Sequence, residues 1–292
     1  HMKYWKKRFP ETGWALLKGG RLPRSDERII QYDLARTLEE IAEGGAPAFY
    51  EGEIARKIVE CVQSNGGLLT LEDLQKYSAR LLVPDEISYR DYTIYTPPLG
   101  AGGLTVLQML RLIEEYEISG LSASARFHIL AEVMKIAWVE RLSRFGDSRF
   151  VKISSSTELG NGCISKLSAR LKQALPSPQP GKIIAYEPLS CTSHVSTADI
   201  RGNLVALTQT HGGAFGSMLT VPGTGLLLGH GVGRFDPRPG LPNSIAPGKQ
   251  PIHNMAPIVL LRQEKPFASY GIPGGRTIPN NQLTISMNLM DL

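Results

Sequence analysis

The order of patterns along the chain predicts an α+β fold. Amphipathic helical periodicity fills the first half, short β-like runs broken by glycine and proline fill the second, and no internal repeat is present. With 292 residues, 42% of them hydrophobic and 20% charged, the chain can build a sizeable core in one large domain or two small ones.

Residues 1–30 are rich in Gly, Arg and Lys and carry no clear period. Leu34, Leu38 and Ile41 then share one helical face, and Gly44-Gly45-Ala46-Pro47 stops that helix. Ile54, Ile58, Val59 and Val62 form a second stripe, closed by Asn65-Gly66-Gly67; Cys61 falls inside it and reads as core. Thr70 is an N-cap signal for a short third helix. "ISYRDYTIYTPP" alternates like a strand pair with a tight turn at Arg90-Asp91 and stops at Pro97-Pro98. "GAGG" at 100–103 opens an amphipathic helix; it reads as a helix start, or as an anion cradle without the spacing or Lys of a P-loop. "ARFHILAEVMKIAWVERL" is another strong helix, ending near Gly146-Asp147. Residues 153–190 are Ser-, Pro- and Gly-rich and read as a tether. Beyond Cys191 the runs "NLVALTQT", "GTGLLLGHGVG", "APIVLLRQ" and "FASYGIPGG" look like strands.

The net charge is +5, but basic residues are spread along the chain and the only dense run is Lys6-Lys7-Arg8. That excludes a dedicated nucleic-acid face, and no apolar run reaches membrane-spanning length. The leading His1-Met2 reads as an expression remnant that would hide any native signal peptide, so the compartment stays open between periplasmic or secreted and cytoplasmic. Three scattered cysteines form neither a metal knuckle nor a disulfide framework. His194, His211, His230 and His253 lack helical i,i+4 spacing and recurring acidic neighbours, so separate structural roles are expected, with no metal and no cofactor.

"CTSHVSTADIRGNLVALTQT", residues 191–210, carries the chemistry. Asp199 to Asn203 is a turn. With Arg201-Gly202 at its tip, the paired positions sum to about 403, which sets Thr192 opposite His211 and Ser193 opposite Thr210. Thr192 and Thr210 are then close. Spacing alone allows two readings: strand hydroxyls exchanging cross-strand hydrogen bonds, or a held nucleophile.

"TSHVSTADIRGNLVALTQT" followed by "FGSMLTVPGTGLLL", "PNSIAPGKQPIHNMAP" and "GIPGG" resembles the γ-glutamyltranspeptidase family of N-terminal-nucleophile hydrolases. The helical stretches of the first half agree in order, so the resemblance runs from about residue 20 to the end. It implies a four-layer αββα sandwich, incomplete here at both ends. Residues 1–191 match the large, mostly helical subunit and 192–292 the small, β-rich subunit, together one domain.

The resemblance also implies a γ-glutamyltransferase or glutathione hydrolase, made from a zymogen by autocatalytic cleavage of the Cys191–Thr192 bond. Thr192 becomes the nucleophile, and its new α-amino group the base. Thr210 matches the threonine that hydrogen-bonds the nucleophile, and Gly274 and Gly275 match the oxyanion-hole pair. The implied partner is a small-molecule amide or peptide, with self-association of the processed fragments.

Five substrate-binding positions depart from the family pattern. Gly212 replaces an Asn. Counting back from Phe235, Gly231 and Arg234 replace an acidic pair that holds the substrate's α-amino group. His253-Asn254 replaces a Ser-Ser that contacts its carboxylate. The alternatives to a γ-glutamyltransferase are therefore an acylase on a carboxylate-bearing, non-glutamyl amide, or a catalytically silent binding homologue.

Overall fold

A computed structural model describes residues 7, 9–177 and 190–292. The expected basic run at Lys6-Lys7-Arg8 falls mostly outside these residues, as does the part of the expected tether at 178–189. Among the described residues the fold is α+β, with antiparallel pairing in every ladder between strands and helices on either side of them in sequence. The chain forms two compact units.

The first unit comprises His1–Leu81 and Gly213–His230. Helix α1, Pro10–Leu16, lies where no period was visible, with Pro at its start. Helix α2 spans Tyr32–Tyr50 but is two helices joined at Gly45, which sits at φ 65° and ψ −157°. The Gly-Gly-Ala-Pro stretch therefore ends the first helix at Gly45, as expected, and a second short helix follows at once, with Pro47 tolerated in its first turn. Leu38 points outward, at 55% exposure. Helix α3, Glu53–Ser64, buries Ile54, Ala55, Ile58 and Cys61, which pack with Val221. Thr70 caps helix α4, Leu71–Gln75, in a reciprocal box with Asp73.

The second unit comprises Leu82–Gly212 and Gly231–Leu292. Strands β1 (Asp85–Tyr89) and β2 (Tyr92–Thr96) form the expected hairpin, with Arg90 at φ 53° in its turn. Strands β3 (Ser190–Ala198) and β4 (Leu204–Gly213, whose last residue belongs to the first unit) form a separate two-stranded sheet. Strands β5 (Ile258–Arg262) and β6 (Lys265–Tyr270) extend the first hairpin into a four-stranded sheet, ordered β1-β2-β5-β6. "GTGLLLGHGVG" forms no strand.

Helix α5, Gly103–Ile113, is buried nearly all round rather than amphipathic. It packs against helix α6, Ala123–Arg144, and against helix α9, Ile278–Met290, which the sequence reading did not separate. Residues 155–174 are not extended chain: Ser155–Leu159 and Asn161–Ala174 form helices α7 and α8, and α8 buries Ile164, Leu167 and Leu171. Their apolar spacing was masked by the polar residues around it. Each fully buried Leu or Ile in this core contributes about 1.5–3 kcal/mol.

The Gly-rich start of α5 is a close-packed joint. The Gly102 N–H donates to Met255 O at 2.9 Å, so a donor that an anion cradle would need is taken. A Cβ at Gly102 would lie 2.2 Å from the Asn254 carbonyl oxygen. Gly102→Ala should therefore lower stability by about 1–3 kcal/mol, measured by urea unfolding. A neutral substitution would show that the joint can shift.

Candidate functional site

The β3–β4 hairpin positions the expected nucleophile. Asp199 N–H donates to Asn203 O at 3.1 Å and Gly202 N–H to Asp199 O at 3.0 Å. The loop is thus three residues long, Ile200-Arg201-Gly202, with Gly202 at φ 85°. A type I turn closed by a left-handed Gly is the common three-residue hairpin. Asp199 fastens the loop by accepting from the Arg201 and Asn203 backbone N–H groups. The expected two-residue tip was one residue short, and the register changes with it. Paired positions sum to 402, so Thr192 faces Thr210 directly, and His211 is not its partner.

Thr192 is buried at 8% exposure, and its hydroxyl donates to Thr210 Oγ1 at 3.1 Å. Thr210 Oγ1 also accepts from the Gly212 N–H at 2.9 Å and donates to the Cys191 carbonyl oxygen at 3.3 Å. One hydroxyl thereby uses its single proton and both acceptor sites. Its proton lies on the carbonyl of the Cys191–Thr192 peptide bond. Gly212 contributes backbone here, and it can do so because it sits at φ 90°.

Strand β3 also contacts the 3₁₀ turn Gly275–Thr277. Gly274 sits at φ 145° and Gly275 at φ 55°, conformations that favour glycine. The N–H groups of both glycines lack an acceptor among the described residues. Two adjacent open donors beside a hydroxyl strand can stabilise an oxyanion.

His253 and Asn254 both contact a residue the sequence reading missed, and Arg234 lies close enough for its charge to act on His253. Arg141, on α6, is 1% exposed. Its guanidinium donates to Ala101 O at 3.1 Å, Thr105 Oγ1 at 3.3 Å, His253 O at 2.8 Å and Asn254 Oδ1 at 3.1 Å. All four acceptors are neutral, and no carboxylate pairs with it among the described residues. Burial pulls its pKa down to about 10. Its helix also carries Arg126, Glu132, Lys135, Glu140 and Arg144, so no local signal sets Arg141 apart.

Arg234 ends the 3₁₀ turn Gly231–Arg234, half-buried, and its carbonyl accepts from Asn243 Nδ2 at 2.7 Å. Burial, then the charges of Arg141 and Arg234, push the His253 pKa down to about 4. Its Nδ1 is buried without a partner among the described residues. This corner is electropositive, with a neutral imidazole inside it. Elsewhere, no group of three or more His, Cys, Asp or Glu among the described residues is arranged to hold a metal.

Two measurements probe the cluster. The folded state resists protonating His253 and the unfolded chain does not, so stability holds above pH 6.5 and falls as pH drops toward 4. The full difference is about 3 kcal/mol. Urea unfolding between pH 7 and 4 should show this slope, and His253→Gln should flatten most of it; an unchanged slope in the variant would assign it to other groups. Asn254→Asp gives Arg141 a counter-charge and should raise Tm at pH 7. A lower Tm would mean that the neutral acceptors already suffice.

Comparison with known proteins gives concordant matches. A family model described as gamma-glutamyltranspeptidase matches residues 2–292. The chain is 34% identical over 287 residues to the "Acylase ACY 1 proenzyme" of Pseudomonas sp. (strain SE83), covering 97% of this chain and 51% of that protein. It is 34% identical over 292 residues to the "Glutathione hydrolase proenzyme" of Escherichia coli (strain K12), covering 94% and 50%. The chain thus spans about half the length of the curated relatives it matches. Among solved structures, cephalosporin acylase from Bacillus halodurans superposes with a TM-score of 0.83 at 27% identity, over 99% of this chain and 55% of that one.

Proposed function

The chain belongs to the gamma-glutamyltranspeptidase family, and from that premise we propose that it cuts itself before Thr192 and then acts as a Thr-nucleophile amide hydrolase or acyltransferase. The observation that carries this reading is the Thr192–Thr210–Cys191 arrangement, in which the hydroxyl beside Thr192 also touches the carbonyl of the bond to be cut. The word "proenzyme" in the names of both relatives supports the maturation step.

In that step the Thr192 oxygen adds to the Cys191 carbonyl carbon while Thr210 draws density toward the carbonyl oxygen. The C–N bond breaks, and the Thr192 nitrogen takes the hydroxyl's proton and becomes a free amine. Water then hydrolyses the resulting ester, leaving a carboxylate on Cys191 and restoring the Thr192 hydroxyl. The new α-amino group has an ordinary pKa of about 8, so a useful fraction is neutral and can accept the hydroxyl proton during attack on a substrate amide. The N–H groups of Gly274 and Gly275 would hold the oxyanion. Water or an acceptor amine then takes the acyl group.

We place the chain division at Cys191/Thr192, giving a helical piece and a β-rich piece that stay associated in a four-layer αββα sandwich. In support, Val195, Val205 and Leu207 lie exposed on one face of the β3–β4 sheet, a face that a further layer would cover. A second reading for the substrate, an acylase for amides whose acyl part ends in a carboxylate, is favoured by Arg234, whose charge acts together with that of the buried Arg141 on His253. Arg can hold a carboxylate in a bidentate fork, whereas the substrate ammonium of a γ-glutamyl group would meet like charge there, at a penalty of about 1–4 kcal/mol. Identity does not separate the two readings, since an acylase and a glutathione hydrolase are equally similar.

Purified protein should resolve by mass spectrometry into two pieces split before Thr192, and Thr192→Ala should stay one chain. A folded wild type that remains intact for days at neutral pH would favour the silent binding homologue. On processed protein, glutaryl-anilide should be turned over faster than γ-glutamyl-anilide, with the preference reversed in Arg234→Asp. A strong γ-glutamyl preference in the wild type would return the chain to glutathione hydrolase chemistry.

A further inference from the structure

His194 lies two residues beyond Thr192 on the same face of β3. Its ring is held at both nitrogens, Nδ1 to Thr208 Oγ1 at 2.7 Å and Nε2 to Ser196 Oγ at 2.9 Å. The backbone at Gly271 packs directly on this ring. A Cβ there would lie 2.2 Å from Nδ1, 2.4 Å from Cε1 and 2.9 Å from Cγ, and these His194 atoms are its three nearest neighbours. Gly271 follows the end of β6 and stands three residues before Gly274, with Pro273 stiffening the link. Strand β3 runs against β6 and against the Gly275–Thr277 turn, and Ser269 Oγ donates to Val205 O at 3.2 Å to tie β6 to the hairpin. The ring therefore fills the gap between the strand bearing Thr192 and the loop bearing the two open N–H donors. Partial burial lowers its pKa, which favours the neutral ring.

We propose that contact between Gly271 and the His194 ring sets the spacing between Thr192 and the Gly274–Gly275 donors, making His194 and Gly271 positioning residues for amide cleavage. This rests on the reading of Thr192 as nucleophile and of the two glycines as oxyanion donors. Neither residue meets the substrate. A side chain at 271 forces either the ring out of its two hydrogen bonds or the loop away from β3. Donor placement matters to the transition state more than to ground-state binding, so the effect falls on kcat.

The test is a double-mutant cycle on the full chain with Gly271→Ala, His194→Ala and both together. The readouts are the rate of self-cleavage and, on processed protein, kcat and KM for an acyl-anilide. Gly271→Ala should lower kcat by roughly tenfold to a hundredfold, with KM little changed. His194→Ala should also lower kcat. Because the ring is what a Cβ would strike, adding Gly271→Ala to His194→Ala should cost nothing further. If Gly271→Ala does not fold, the comparison between His194→Ala and the double variant decides the matter. Folded Gly271→Ala with wild-type kcat, or losses that simply add, would overturn the proposal. Those outcomes, in a wild type that cleaves and turns over, leave the Thr192 reading intact. A wild type that neither cleaves nor turns over overturns the reading and the proposal together.

Discussion

A single buried guanidinium organises the second unit. Arg141 reaches from the last turn of α6 to the Gly-rich start of α5 and to the 253–254 segment, satisfying carbonyls in both. Those segments approach too closely for any side chain at Gly102, so helix packing and site geometry are one constraint. A buried cation with no acidic partner among the described residues is retained at a free-energy penalty. It is offset here by four hydrogen bonds and by the cation–π face of Trp138, 5.8 Å away. The electropositive corner at His253 and Asn254 is a by-product of that clamp.

Register is the second constraint, and it is set far from the chemistry. A one-residue slip along β3 would turn Thr192 to the opposite face, away from Thr210. What prevents the slip is the Asp199–Asn203 loop, with its side-chain fastening and left-handed Gly202. The hydroxyl pair depends on a loop whose ends, Ile200 and Gly202, each stand eight residues away, from Thr192 and Thr210 respectively.

The parts of the fold with strong local signals were legible in the sequence. The capped helix at Thr70, the stripe from Ile54 to Val62 and the hairpin at Arg90 all form as their residues dictate, because each is fixed by neighbours in sequence. The short helical piece at 46–50, the helices of residues 155–174 and the final helix escaped notice. Their patterns are diluted by Gly, Ser and Asn, and they fold because of what they pack against. At the candidate site, closeness of Thr192 and Thr210 followed from the turn, but their direct opposition did not, since a two- and a three-residue loop look alike in sequence. Arg141, His194 and Gly271 owe their importance to long-range contacts that no local pattern encodes.

The three thiols differ in a way that experiments can exploit. Cys61 is buried against Thr220 O, and Cys163 lies beside Glu158; burial raises the pKa of both, which leaves little thiolate. Cys191 is exposed. A thiol-directed fluorophore would therefore attach first at the residue adjoining Thr192. If the bond between them is cut, the dye marks the new carboxyl end of the helical piece, and its anisotropy or its energy transfer to a dye on the β-rich piece reports whether the two halves remain together.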